Sequence, residues 1–186
     1  MEFIAQYLQS ITSLNSYSLS LVLQTITEEK IKRNTLVVEQ GKHNKHMYVI
    51  KKGVVKAFVN ENGEDKIISL WMENETFGDV YTYITGEVAT KNYIAIEDLI
   101  VYKFDSEKFR ALFDINHEIC NLGRLFIEKF IVRSKFECYF HSKASPKEKY
   151  QFLFENRKQL INRVKLKDLA SYINITPETL SRIRKK

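Results

Sequence analysis

The segment Thr176-Pro177-Glu178-Thr179-Leu180-Ser181-Arg182-Ile183-Arg184-Lys185-Lys186 gathers side chains that can read and hold a nucleic acid. Glutamate can accept a hydrogen bond from cytosine N4, and arginine can read guanine O6 and N7 with both arms of its fork. Threonine, serine and lysine can hold phosphate oxygens. Thr176 suits a helix N-cap, with Pro177 at the first helical position. Leu180 and Ile183 return to a core at helical spacing, which leaves Thr176, Pro177, Glu178, Thr179, Ser181, Arg182, Lys185 and Lys186 as the candidate DNA-binding set. Upstream, Leu166, Leu169, Ala170 and Ile173 form the apolar face of a preceding helix. Ala170 is small where a second helix must cross closely, and Asn174 accepts the left-handed conformation that ends a helix. Two short amphipathic helices about a tight turn make a helix-turn-helix, whose second helix enters the major groove.

Charge supports the same partner. Residues 141–186 carry 12 Lys+Arg against 4 Asp+Glu, a net charge of +8, while residues 1–140 carry a net −2. A basic end on a mildly acidic body is the footprint of polyanion binding, although a solvated basic tail would give the same count.

Other chemistry is poorly supplied. His43 and His46 stand three apart in a loop-like stretch, and His117 and His141 fall in helical segments. That is not the close alternate pair, with Glu and a later His, that a metal-dependent oxygenase needs on neighbouring strands. Cys120 and Cys138 lie 18 positions apart on what reads as one helix, about 27 Å along its axis and far beyond disulfide reach. No nucleophile–base spacing and no glycine-rich phosphate loop stands out. The expectation is therefore no enzyme, no metal and no cofactor, in a reducing cytoplasm. The residues Met1-Glu2-Phe3-Ile4-Ala5 lack a basic region and a small-residue cleavage site, so no secretory signal is expected. No apolar run approaches the length of a membrane span.

The elements that must position the terminal helices follow from periodicity. Residues 2–30 read as helical, with a break at Asn15-Ser16. From about Thr35 to Phe104, short runs rich in Val, Ile, Tyr and Phe alternate with turn residues. They are Leu36–Glu39, Met47–Ile50, Val54–Val59, Ile67–Met72, Tyr93–Ile96 and Leu99–Phe104, with a hairpin signal at Asn60-Glu61-Asn62-Gly63. Such spacing predicts an antiparallel sandwich or roll. Asp105-Ser106-Glu107 starts a helix, and Ile115, Ile119, Leu122, Phe126, Phe130, Phe136 and Phe140 keep an approximate helical period. A helix of that length with an apolar stripe usually packs against a partner. Ile119, Leu122, Phe126 and Phe130 are the expected dimer interface. Ser145 and Pro146 begin a further helix, and a boundary is placed at 141–146.

A strand-rich front, a long helix and a terminal helix-turn-helix, in that order, resemble the cyclic-AMP receptor/fumarate-nitrate regulator family of bacterial transcription factors over nearly the whole chain. The front resembles the family's cyclic-nucleotide-binding roll through Gly41, Met47-Tyr48-Val49-Ile50-Lys51-Lys52-Gly53, Phe77-Gly78-Asp79 and Tyr93-Ile94-Ala95-Ile96-Glu97-Asp98. The resemblance places Glu178 and Arg182 at base-contacting positions and an effector pocket at Phe77, Gly78, Asp79, Ala89 and Thr90. Two substitutions change what that pocket can hold. Asp79 stands where nucleotide-binding members have Glu, and Ala89 stands where they have the arginine that clamps the cyclic phosphate. Cyclic AMP is thus not the expected effector. Two badly spaced cysteines do not match the family's iron–sulfur branch, and no residue argues for haem.

The expectation is an α+β chain, with an antiparallel β-roll followed by a long dimerisation helix and a C-terminal helix-turn-helix. Residues 1–142 would form the roll with its flanking helices, and residues 143–186 the DNA-binding domain. Its expected partners are double-stranded DNA, a second copy in a homodimer, an unidentified small-molecule effector and RNA polymerase. The competing expectation is a ligand-sensing roll that acts through a protein partner instead of DNA.

Overall fold

The computed structural model describes residues 1–143 and 145–185. It opens with two helices, α1 (Glu2–Ile11) and α2 (Ser16–Gln24), the second capped by the Asn15 side chain on the Ser18 N–H at 2.8 Å. Eight strands and one short helix follow: β1 (Ile26–Ile31), β2 (Leu36–Val38), β3 (Met47–Lys52), β4 (Val55–Glu61), β5 (Glu64–Trp71), β6 (Thr76–Phe77), α3 (Val80–Thr85), β7 (Asn92–Ala95) and β8 (Leu99–Phe104). They form two four-stranded antiparallel sheets, ordered β1-β8-β3-β6 and β2-β7-β4-β5. The hairpin between β4 and β5 turns at Asn62 and Gly63, both at positive φ, the backbone a two-residue hairpin requires.

One boundary differs from the helical period. Ile26–Ile31 is a strand, not the end of a helix. It pairs along its whole length with β8, from Ile26 opposite Phe104 to Ile31 opposite Leu99. Six residues of antiparallel pairing outweigh a weak helical pattern. The Glu and Lys side chains of Thr27-Glu28-Glu29-Lys30 suit a strand at the edge of its sheet. The two-residue strand β6 is too short for sequence periodicity to show.

Helices complete the chain: α4 (Ser106–Ala111), α5 (His117–His141), α6 (Pro146–Arg163), α7 (Leu166–Ile173) and α8 (Pro177–Arg184). Their starts are fixed by side-chain caps. Asp105 caps α4, Asn116 caps α5, and Ser145 with Glu148 closes a capping box on α6.

The expected dimer stripe on α5 requires correction. Ile119 and Leu122 are fully buried and Phe126 nearly so, in one cluster with Ile4, Leu8, Val22, Val49, Tyr102 and Phe104. Phe126 meets the rings of Phe104 and Phe109 edge-on, with centroids 5.6 and 6.3 Å away. Phe130 is partly buried against the same cluster. An apolar stripe on a helix predicts that a face is buried but not against what. Here α1, α2 and the roll take the N-terminal half of that stripe. The apolar side chains that α5 leaves exposed lie further along, at Ile131, Val132 and Tyr139.

A second cluster joins the front of the chain to its end. Val54, Ile67 and Leu70 of the roll share a core with Phe140, Leu153, Leu160, Leu169, Tyr172, Ile173 and Leu180. The last three helices therefore pack on the sheet containing β5.

Candidate functional site

The terminal pair is built as its residue types require. Leu169, Ala170, Tyr172 and Ile173 are buried along α7, and Leu180 is buried on α8. Asn174 takes the left-handed conformation, φ 66° and ψ 53°, and ends α7. Thr176 caps α8 by accepting from the Thr179 N–H at 3.3 Å, with Pro177 at the first position. Glu178, Arg182, Arg184 and Lys185 face solvent, and Pro177, Thr179 and Ser181 are partly covered. Arg182 approaches the Thr179 hydroxyl at 3.4 Å and has no carboxylate neighbour within ion-pair reach among the described residues. Lys186, the last of the candidate DNA-binding residues, lies outside the described residues. Lys165 and Lys167 on the adjoining edge are also exposed.

Three polar contacts, invisible to local spacing, clasp this unit to the roll. Arg163, at the end of α6, donates to Glu73 at 2.6 and 2.8 Å and to Glu97 at 3.0 and 2.6 Å. Lys56 of β4 pairs with Asp168 of α7 at 2.9 Å, and both side chains are mostly buried. The Ser171 hydroxyl accepts from the Ile67 N–H and donates to the Asp65 carbonyl, in each case within 3.1 Å. A cleft of about 780 Å³ separates the acidic hairpin residues Glu61, Glu64 and Asp65 from Thr176 and Pro177.

The Arg163 clasp is sensitive to acid. Its fork on Glu73 holds that carboxyl at about 2, against an ordinary 4.5. Because the folded value is the lower one, the clasp stabilises the fold fully above pH 4.5. That contribution disappears as the pH falls toward 2. Urea unfolding between pH 2 and 5 should show the parent chain ahead of Glu73→Gln at pH 5 and the two converging at pH 2. A gap that does not change with pH would place the stabilisation elsewhere.

Inside the roll, the expected effector residues do come together. Asp79 is nearly fully buried and caps α3. Its Oδ1 accepts from the Thr82 N–H at 3.3 Å, and its Oδ2 accepts from both the N–H and the hydroxyl of Thr90 at 2.9 Å. Ala89 is buried, and its backbone is bonded to Gly41 and Lys42. Phe77 is fully buried and stacks on Tyr48 at 5.0 Å and Tyr93 at 6.2 Å. Trp71 lies 5.5 Å from Tyr93. The Tyr93 hydroxyl donates to the Gly78 carbonyl at 3.1 Å, and burial pushes that phenol's pKa upward. Motif spacing did not single out Tyr48, Trp71 or Tyr93 as neighbours of this site. Tyr48 and Tyr93 lay in stretches that resemble the family's roll, but only as marks of the fold, and Trp71 lay in a strand run with no such mark.

Residues 28–116 match the family model described as the cyclic nucleotide-binding domain. The front of the chain has that domain's fold. Similar solved structures extend the likeness to the terminal helices. FixK2 from Bradyrhizobium japonicum aligns with a TM-score of 0.73 at 16% identity, over 86% of this chain and 83% of that one. The c-di-GMP responsive global regulator CLP of Xanthomonas campestris aligns at 0.70 and 12% identity, over 92% and 90%. The catabolite activator protein of Thermus thermophilus aligns at 0.56 and 16% identity, over 96% and 85%. No curated protein matches the chain. The architecture is thus like that of the cyclic-AMP receptor/fumarate-nitrate regulators: an antiparallel cyclic nucleotide-binding roll followed by helices. Among the described residues, no helix is long and apolar enough to cross a membrane. Nor, among those residues, is any group of three or more His, Cys, Asp or Glu side chains placed to hold a metal ion.

Proposed function

We propose that the chain is a non-enzymatic, homodimeric, sequence-specific DNA-binding transcriptional regulator of the cytoplasm. The observation that carries this reading is α8. One side is anchored by Leu180, while Glu178, Arg182, Arg184 and Lys185 stand free beside the exposed Lys165 and Lys167. In this reading α7 and α8 form the helix-turn-helix, and α8 lies in the major groove. Arg182 and Glu178 read base edges, and the surrounding lysines hold phosphates. RNA polymerase is a further partner of such a regulator.

The second copy meets α5 on the exposed side that carries Ile131, Val132 and Tyr139, in place of the buried stripe. Val132→Asp places a charge on that side without touching the core. Sedimentation should then show the monomer at concentrations where the parent chain is a dimer. An unchanged dimer would put the interface on another surface.

Cyclic AMP is not the effector in this reading. Both oxygens of Asp79 are already engaged, and Ala89 offers no cation to a phosphate. Three aromatic side chains, Tyr48, Trp71 and Tyr93, pack around Phe77.

The test is selection of bound sequences from a random duplex pool at about 150 mM salt, where contacts to phosphate alone fade. A two-fold symmetric motif is expected, and its half-site spacing reports the dimer geometry. The second reading, a roll acting through a protein partner, is favoured by Glu61, Glu64 and Asp65, which outnumber Lys66 and Lys167 in the cleft beside Thr176 and Pro177 and repel phosphate. Recovery of no sequence from the pool, with or without a metabolite mixture, would favour that reading.

A further inference from the structure

Cys120 and Cys138 are both free and both exposed on α5. Their separation of 18 positions is five full helical turns, so they share one line along the helix. Leu122 and Phe140 each stand two positions further on, which turns them to the opposite side, and both are fully buried against the rest of the chain. The cysteines therefore lie at the centre of the face that α5 turns away from its own core.

The residues between them have the spacing of a helix pair. Cys120, Ile127 and Ser134 recur every seven positions, and so do Arg124, Ile131 and Cys138, with steps of four and three between the rows. That is the seam along which two parallel helices interlock. Ile131, between the cysteines, is 58% exposed. Arg124, which meets its own copy in such a pair, is neutralised by Glu128 on the same helix. The exposed Val132 and Tyr139 flank the seam, so it is continuous with the dimer surface assigned above.

Within one chain the two thiols are about 27 Å apart and cannot join. Across two parallel copies each meets its own counterpart. Helix axes about 10 Å apart, with Cα atoms about 2.3 Å from each axis, leave facing Cα atoms about 5 Å apart. A disulfide spans about 4.4–6.8 Å between Cα atoms. An antiparallel pair would set Cys120 against Cys138 instead. A DNA reader needs the parallel pair, because α8 lies beyond the C-terminal end of α5 and two copies of it must reach neighbouring half-sites.

We propose that Cys120 and Cys138 form a redox-controlled link between two copies of the chain, each thiol joined to the same thiol of the other copy. The inference rests on the dimer reading of α5. Hydrogen peroxide is the oxidant. One thiolate attacks a peroxide oxygen and becomes a sulfenic acid as the first water leaves. The second thiolate attacks that sulfur, the S–S bond forms, and the sulfenic oxygen leaves as a second water. Two thiols and one peroxide thus give one disulfide and two waters, and a thiol reductant reverses the bond by exchange. In a reducing compartment such a link is transient and signals oxidation; it does not staple the fold. Linked copies cannot separate on dilution. The bond at Cys138 also lies about one turn before α5 ends at His141, where it fixes the spread of the two terminal units.

Hydrogen peroxide, added to the full chain where sedimentation shows a dimer, should give a dimer band on a non-reducing gel that dithiothreitol abolishes. Cys120→Ser and Cys138→Ser should each keep one link, and the double variant none. Mass spectrometry should find Cys120 joined to Cys120 and Cys138 to Cys138. After about a hundredfold dilution the oxidised chain should still sediment as a dimer, while the reduced chain separates. Val132→Asp, which is expected to be monomeric, should link about tenfold more slowly or worse, because it lacks the high effective concentration of paired thiols. Equal linking of the parent and Val132→Asp would mark random collision of exposed thiols and overturn the proposal, as would Cys120 joined to Cys138. A chain that sediments as a dimer but forms no link loses this inference alone. A chain that stays monomeric and forms no link loses the dimer reading with it.

Discussion

Arg157→Met should lower the stability of the chain by about 2–4 kcal/mol, the largest single effect expected here. Arg157 is 8% exposed, and its backbone leaves helical geometry at φ −145° and ψ 40°, in a kink of α6. It donates to the Leu70 carbonyl at 2.8 Å and to Glu75 at 2.6 Å. Burial opposes its charge, and Glu75 is the group that compensates. Removing one partner of a buried pair typically costs about 3–5 kcal/mol, because the other charge is left desolvated. Glu75 retains Arg133 and some exposure, which brings the expected loss to the lower part of that range. Methionine keeps the apolar stem, so the comparison isolates the guanidinium. At about 2–4 °C per kcal/mol for a chain of this size, the melting temperature should fall by roughly 5–15 °C. Urea unfolding should give a lower midpoint with the slope unchanged. Arg157→Lys should fall between the two, since an ammonium keeps the charge but cannot span both acceptors. A midpoint equal to the parent's would mean that the kink, not the pair, holds α6 in place.

The second large effect concerns recognition. Arg182→Ala should cost about 1–3 kcal/mol of DNA affinity, concentrated at one base position of each half-site. Arg182 is exposed, held only loosely by Thr179, and stands one turn after Glu178 on α8. Lys165→Ala provides the contrast. It should weaken binding evenly on all sequences and lower the salt slope by about one, as the loss of a phosphate contact does. Binding measured on the selected motif and on each of its single-base variants separates the two patterns. An even loss for Arg182→Ala would reduce that residue to a phosphate contact. The acidic hairpin bears on the result, because Glu61, Glu64 and Asp65 face the start of α8 across the cleft. Their repulsion is itself screened as salt rises, so it makes the salt dependence shallower without changing the base preference.

Much of the architecture was legible because it is local. The break at Asn15, the helix starts at Asp105, Ser145 and Thr176, the left-handed Asn174 and the Asn62-Gly63 turn are each set by one or two residues acting on neighbouring backbone. Strand spacing between Leu36 and Phe104 was equally readable, since half-buried strands alternate with turns. The misread strand β1 shows the limit: its pairing partner lies more than seventy positions away at Ile26 and Phe104. The meeting of Phe77-Gly78-Asp79 with Ala89-Thr90 was legible as a neighbourhood, since Asp79 does bond Thr90. That its carboxylate is fully used inside the chain was not.

By itself, then, the sequence determined the order of the elements, the sheet-rich front, the capped terminal helix pair and the concentration of positive charge at the end. Only the tertiary structure decided what each face meets. It gave Ile119, Leu122 and Phe126 to α1, α2 and the roll, and it brought Arg157 to Glu75 and Arg163 to Glu73 and Glu97 across separations of 66 to 90 residues. The physical reason is that periodicity and capping are written in neighbours a few residues apart. Burial and charge pairing are contests among all the surfaces the folded chain brings together, and local spacing carries no record of which one wins.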